Sequence, residues 1–137
     1  RSGTPGGRAR RKSMSLSRSP ERPAYIDFSS DTTDFANQDL RGTQLGSMDM
    51  RGCNLSGSDL ADAILTNTTM NRGRMVNCRF AGAKMEGWSC KGSDLNGSDF
   101  DRAEMARSKL SKCCLIDCSM QGTNLFRSDL SYSDLSD

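Results

Sequence analysis

The cysteines are the first candidates for a reactive site in this sequence. The chain of 137 residues has six cysteines and no histidine, so the commonest general base and metal ligand is missing. Cys113, Cys114 and Cys118 lie close together, but no C-x-x-C pair is present from which a four-ligand zinc site could be built. We predict that the cysteines fill space in the fold, with metal binding or redox chemistry as the alternative, and that no cofactor is bound.

The carboxylates are the second candidates. Asp94, Asp99 and Glu104 recur five residues apart, which is typical of a repeating solvated face rather than of one reactive centre. The sequence also contains no phosphate-binding loop, nucleophile elbow or metal-binding motif. We therefore predict that the protein is not an enzyme.

The same five-residue interval governs the large apolar residues. Leu, Met or Phe occupies every fifth position from Phe35 to Leu135, which gives 21 consecutive units, and only Cys90 interrupts the series. This centre column takes 11 of the 12 leucines. Because the interval fits neither an α-helix nor a β-strand, it indicates a solenoid whose units bury their apolar side by stacking on one another.

A second column lies two positions before each centre, and we call these the small positions. They hold Gly, Ala, Ser, Thr or Cys in 18 of the 21 units. A large and a small inward side chain would then share one narrow interior, while the other three positions of each unit face solvent. The predicted core includes the centres Leu55, Phe80, Leu95 and Phe100.

Individual units resemble the motif of the pentapeptide-repeat family, roughly Ala-(Asp/Asn)-Leu-x-x. Close matches are Cys53-Asn54-Leu55-Ser56-Gly57, Ser58-Asp59-Leu60-Ala61-Asp62 and Ser93-Asp94-Leu95-Asn96-Gly97. The resemblance covers residues 33–137 and implies an all-β fold, a right-handed quadrilateral β-helix with one pentapeptide on each side of a coil. The 21 units would then form about five coils, in which residues 20 apart stack.

The predicted register also assigns the cysteines. Four of them stand at small positions, Cys90 is a centre, and only Cys114 faces outward. Because no two inward cysteines are 20 residues apart, we predict free thiols, which fits a reducing compartment.

Trp88 is the largest exception to the pattern, because it occupies a small position in the unit whose centre is Cys90. We interpret the two exceptions as an exchange of volume, in which the indole points inward and Cys90 makes room. The alternative is a local bulge that turns Trp88 outward as an anchor for a partner.

Residues 1–23 form a basic tail of low complexity. They carry seven basic residues and one acid, whereas the rest of the chain has 12 basic and 16 acidic residues. Such a segment is predicted to be disordered or extended, because it buries too little apolar surface to offset its conformational entropy. We interpret it as the remnant of an organellar transit peptide. The alternatives are a solvated linker, a sequence left by expression, or an arm whose Arg10, Arg11, Lys12 and Arg18 contact a nucleic acid or an anionic membrane surface.

The two ends of the repeat differ. Residues 24–32 contain Tyr25, Ile26 and Phe28, which we predict to cap the first coil. No comparable segment follows Leu135, so the coil around Leu130 and Leu135 is expected to meet a partner or a second copy, unless the chain is truncated. No apolar run of about 18 residues occurs, and no transmembrane segment is predicted.

Charge is distributed unevenly over the four expected sides. Units centred on 50, 70, 90, 110 and 130 form what we call the basic side, and its outward basic residues are Arg51, Arg72, Lys91, Lys109 and Lys112. Units centred on 40, 60, 80, 100 and 120 form the mixed side, where Asp39, Asp59, Asp62, Asp99 and Asp101 stand against Arg41, Arg79 and Arg102. A solvated face is the plainer interpretation of the basic side, and a docking surface is the functional one.

These features favour a non-enzymatic scaffold that binds a protein partner through the tail and the basic side, as a small subunit of a larger organellar assembly. A plastid is the favoured location and the cytoplasm the alternative. A second hypothesis follows from the family resemblance, since some pentapeptide-repeat proteins mimic DNA and inhibit a topoisomerase, DNA gyrase. A third is a nucleic-acid-binding subunit driven by the tail.

Overall fold

The computed structural model describes residues 34–137. The basic tail, the cap and the candidate residues Arg10, Arg11, Lys12 and Arg18 lie outside the described residues. Within residues 34–137 the regular elements are single-residue parallel bridges and tight turns, with neither a longer strand nor a helix.

Parallel bridges set the register of the coils. Each bridge joins a residue to the one 20 positions later, from Asp34 with Asn54 to Cys114 with Asp134. Since a unit has five residues, this offset of 20 places four units in each coil. The predicted stacking is confirmed most directly by Phe80 and Phe100, whose ring centroids lie 5.0 Å apart at an interplanar angle of 4°.

A tight turn follows each centre and forms a corner of the coil. In most turns the residue three positions after the centre donates its N–H to the centre's carbonyl, as Ser58 does to Leu55 at 3.0 Å. The residue two positions after the centre has a positive φ in every turn, whether it is glycine or not. At Gly57 a Cβ would also lie 2.2 Å from Oδ1 of Asn37 in the preceding coil, so a larger residue there would displace the Asn37 side chain.

The centre column forms the core. Its members from Leu40 to Leu115 are at most 1% exposed, so the predicted inward positions, including Leu55 and Leu95, are confirmed. Burial decreases in the last described coil, where Leu125 and Leu130 are half-buried and Leu135 is 51% exposed. Phe126 and Tyr132 are exposed on the same coil.

The small positions satisfy buried backbone groups as well as saving space. The Ser98 hydroxyl accepts a hydrogen bond from the Cys78 N–H at 3.0 Å and donates one to the Met75 carbonyl at 2.8 Å. Other serines, threonines and cysteines of this column likewise contact a carbonyl 23 residues earlier. Buried backbone groups need hydrogen-bond partners. The preference for Ser, Thr and Cys at the small positions therefore has a hydrogen-bonding cause as well as a steric one.

Trp88 points into the core, as the exchange of volume predicts. It is fully buried and packs against Phe80 and Phe100, with ring centroids 5.5 and 6.3 Å away. Ser89, its neighbour, keeps parallel bridges to both adjacent coils, so the backbone does not bulge and the outward alternative is wrong. Within residues 34–137, Trp88 Nε1 is the one buried side-chain nitrogen or oxygen without a hydrogen-bond partner.

Candidate functional site

Aspartate and asparagine side chains before the centres complete the turns. Oδ1 of Asp59 accepts from the Ala61 N–H at 3.0 Å, and Oδ1 of Asp99 accepts from the Asp101 N–H at 2.9 Å. Where this acceptor is missing, a side chain of the preceding coil replaces it, as Asn96 does for the Ile116 N–H at 2.9 Å. The fivefold recurrence of carboxylates therefore has a structural cause, since a short side chain can satisfy a nearby turn amide.

The electrostatic environment keeps several of these carboxylates ionised. The hydrogen bond from Arg51 lowers the pKa of Asp49. Hydrogen bonds from Ser131 lower the pKa of Asp129 in the same way. A general acid working near neutral pH needs the opposite shift, so these groups are suited to accepting hydrogen bonds and not to donating protons.

The cysteines lie mainly in the interior. Burial raises the pKa of Cys53 and of Cys78 to about 12, which leaves both as neutral thiols. Cys114 is exposed, as predicted. Over the described residues no group of three or more cysteine, histidine or acidic side chains is arranged to hold a metal ion.

The five predicted basic residues of the basic side are all exposed. The bridge series from Asp49 through Thr69, Ser89 and Lys109 to Asp129 stacks their units on one side of the coil. Arg51 differs from the rest, because its guanidinium contacts the Asp49 carboxylate at 2.6 Å. Its charge is therefore largely matched within its own unit.

The other four residues form what we call the cationic quartet: Arg72, Lys91, Lys109 and Lys112. Within residues 34–137, none of them has a carboxylate within ion-pair distance. Arg72 and Lys112 share one corner column, two coils apart, so their backbones are roughly 10 Å apart. Two acids lie one coil away in register, Asp49 before the unit of Arg72 and Asp129 beyond Lys109, and the charge of Lys91 contributes to the lowered pKa of Asp129.

The mixed side shows the opposite arrangement for two of its three cations, while Arg102 has no carboxylate within ion-pair distance in residues 34–137. Arg41 contacts Asp39 at 2.8 Å and reaches Asp59 at 4.0 Å. Arg79 contacts Asp59 at 3.5 Å. The cations at this end of the mixed side are thus used to neutralise its own carboxylates, whereas those of the quartet are available to an external anion.

The arrangement of the quartet suits binding and not catalysis. Four cations stand on a rigid backbone ladder, and coils about 4.8 Å apart fix their spacing. Unpaired surface cations attract an anionic partner and help to fix its orientation.

Sequence reasoning missed one contact between reactive groups. The Sγ atoms of Cys90 and Cys113 lie 3.7 Å apart, although the residues are 23 positions apart rather than 20. The offset arises because a small-position side chain reaches over the centre of the preceding coil. The pattern of centres and small positions could have revealed this contact, had the diagonal neighbours been considered.

Three comparisons with known proteins bear on the chain. A family model described as pentapeptide repeats matches it in 8 copies, over residues 33–67, 49–87, 78–122 and 103–137. A search of curated proteins finds no significant match.

Within residues 34–137 no helix is long and apolar enough to cross a bilayer.

Solved structures resemble the fold at low sequence identity. A pentapeptide-repeat protein from the thylakoid lumen of Arabidopsis thaliana has a TM-score of 0.67 and 17% identity, over 69% of this chain and 66% of that protein. A trypsin-treated variant of QnrB1, a plasmid-mediated fluoroquinolone resistance protein, has a TM-score of 0.45 and 18% identity, over 73% and 59%. The protein Rfr23 of the cyanobacterium Cyanothece 51142 has a TM-score of 0.41 and 15% identity, over 75% and 91%.

Proposed function

The chain belongs to the pentapeptide-repeat family, and we propose that it is a non-enzymatic scaffold that docks a protein partner on its basic side. The observation that carries the proposal is the cationic quartet, which has no internal ion-pair partner within the described residues. The partner surface is accordingly acidic. The β-helix supplies a rigid support on which the four charges keep their spacing.

The basic tail, residues 1–23, would add to the electrostatic attraction between the quartet and an acidic partner. Its seven basic residues against one acid would add charge contacts to an acidic partner beyond those of the quartet. Its arginine- and serine-rich, acid-poor composition also supports an organellar location, with a plastid favoured. We propose that the protein is a small subunit of an assembly in that compartment.

Cross-linking of lysines tests the proposal directly. The tagged full chain is treated with an amine-reactive cross-linker in an extract of the cells that produce it, and the cross-linked peptides are quantified. We expect links from Lys91, Lys109 and Lys112 to one acidic protein, and few from Lys84, an exposed lysine on another side. Equal yields from Lys84 and from the quartet would contradict the assignment.

The DNA-mimic hypothesis receives no support from the charge arrangement. A mimic of duplex DNA presents a continuous negative face, but Arg41 and Arg79 stand among the carboxylates of the mixed side and contact them. We expect DNA gyrase to keep its supercoiling activity in the presence of excess protein. Inhibition at a low molar ratio would restore that hypothesis.

A further inference from the structure

Two buried thiols meet between successive coils. Cys90 is fully buried and Cys113 is 2% exposed, and their Sγ atoms lie 3.7 Å apart. Cys113 also contacts the Cys90 carbonyl oxygen at 2.9 Å, so its side chain is directed at Cys90. The two sulfur atoms are in van der Waals contact, and bond formation requires an approach of roughly 1.7 Å to the length of about 2.05 Å.

Cys78 and Cys118, two other small-position cysteines, do not have this neighbour. Cys78 and Cys118 make the same diagonal contact, but they meet the carbonyl oxygens of Leu55 and Leu95 at 2.9 and 3.1 Å. Their neighbouring centres are leucines, which offer no sulfur. Cys113 meets a thiol because Cys90 is the one centre that is a cysteine.

We infer that Cys90 and Cys113 are a site of oxidative modification, at which hydrogen peroxide converts the thiol pair into a disulfide joining two coils. This inference does not depend on the proposed docking function, because both thiols are inward and buried, whereas the quartet members next to them in sequence, Lys91 and Lys112, are outward and exposed.

Oxidation of the two thiols to a disulfide proceeds in two steps. The Cys113 thiolate attacks the peroxide oxygen, the O–O bond breaks, and Cys113 becomes a sulfenic acid with release of one water. The Cys90 sulfur then attacks the sulfenic sulfur, the S–S bond forms, and a second water leaves with the remaining proton. One hydroperoxide thus takes two electrons and two protons from the two thiols.

The surroundings assign the two roles. The hydrogen bond from Cys90 lowers the pKa of Cys113, whereas burial raises the pKa of Cys90 well above its ordinary value. Cys113 is also the less completely buried of the two, at 2% against 0% exposed, so it is the thiol that peroxide reaches first. Since neither sulfur is open to solvent, the peroxide gains access during transient local opening of the coils, and the reaction is slow.

Peptide mapping tests the inference. The full chain is exposed to hydrogen peroxide under native conditions, free thiols are alkylated, and the protein is digested with trypsin without reductant. We expect a species that joins residues 85–91 to residues 113–127 and is two hydrogens lighter than the separate peptides. A Cys114→Ser background removes the exposed thiol of the second peptide, and fragmentation of the linked species distinguishes Cys113 from Cys118, which lies in the same peptide.

Two matched variants control the chemistry. Cys113→Ser should abolish the link, and it should fold, because serine makes the same carbonyl contact elsewhere in the column. Cys78→Ser changes an equivalent position beside a leucine, and it should leave the link intact. The oxidised protein should melt higher by an amount on the order of 10 °C, because the link closes a loop between successive coils.

Three results would overturn the inference. The first is that Cys90 and Cys113 remain alkylatable after denaturation while Cys114 is fully oxidised. The second is a link from Cys90 to Cys118 in place of Cys113. The third is a link that leaves the melting temperature unchanged, which would exclude its role in joining the coils.

Discussion

The interior and the outer surface of each coil obey different constraints. Inside, a centre is at most 1% exposed from Leu40 to Leu115, and its neighbours are fixed by the same register in every coil. Outside, the basic side leaves Arg72 and Lys91 unpaired among the described residues, whereas the mixed side matches Arg41 and Arg79 with carboxylates. The interior is therefore repeated and stabilises the fold, while the sides differ from one another, and we propose that one of them binds a partner.

The largest expected difference in stability is between an aspartate introduced at an inward position and one introduced at the adjacent outward position. Leu95→Asp places a charge in the centre column, where no polar partner is available, and should cost about 4 kcal/mol or more of unfolding free energy. Asn96→Asp changes the next residue, which faces outward and keeps its acceptor for the Ile116 N–H. Chemical denaturation measures both variants. Equal losses of stability would mean that the inward and outward assignment is wrong.

Trp88 tests how much of the interior stability comes from its largest side chain. Trp88→Ala removes the contacts with Phe80 and Phe100 and leaves a cavity, so we expect a loss of about 3–5 kcal/mol. Trp88→Phe keeps an aromatic ring and removes the unpartnered Nε1–H, and it should cost less than about 1.5 kcal/mol. If the two variants melted together, the indole would not be packed as described.

Removal of a buried hydroxyl from the small-position column should cause a loss of stability of intermediate size. Ser98→Ala removes the acceptor of the Cys78 N–H and the donor to the Met75 carbonyl, and should cost about 1–3 kcal/mol. Ser131→Ala, an exposed serine on the basic side, is the matched control and should cost under about 0.5 kcal/mol. Thermal unfolding of both variants compares them. A Ser98→Ala protein as stable as the control would show that the column only saves space.

Acid titration of the outer surface should give the smallest change. The pKa of Asp49 and of Asp101 is lowered mainly by hydrogen bonds from Arg51 and Ser119. A lowered pKa means that the folded state holds the proton less tightly, so its contribution is complete above the ordinary value of about 3.9 and is lost as the pH falls below it. Melting curves between neutral and acidic pH should show this loss, and Asp49→Asn should reduce it. A stability that rises on acidification would contradict the assignment.

Much of the interior could be predicted from the sequence, because the constraint there is local and periodic. The centre column, the 20-residue stacking of Phe80 on Phe100 and the inward Trp88 all follow from volume at fixed spacing. The diagonal contact of Cys90 with Cys113 did not follow, since it depends on how a side chain leans between coils. The hydroxyl contacts of Ser98 were missed for the same reason.

The candidate site was predictable only in part. The register placed the basic residues on one side, but it could not show that Arg51 is matched by Asp49 while Arg72 is not. That distinction depends on side-chain rotamers, which the repeat does not determine. The tail, with Arg10, Arg11, Lys12 and Arg18, stays a prediction.

The most direct test of the docking surface is a pair of matched charge reversals in the full chain. One variant carries Arg72→Glu, Lys91→Glu and Lys112→Glu on the basic side, and the other carries Arg41→Glu, Arg79→Glu and Arg102→Glu on the mixed side. Both change the net charge equally and should remain folded by circular dichroism. The measurement is the fraction of the native partner that co-purifies with each tagged protein at rising salt.

We predict that the basic-side variant loses most of its partner, and that its residual binding depends less on salt, because fewer charge contacts are left to screen. The mixed-side variant should retain the partner. If the basic-side variant co-purified as well as the unaltered protein, the docking surface would lie elsewhere, and the exposed coil around Leu130 and Leu135 would replace it.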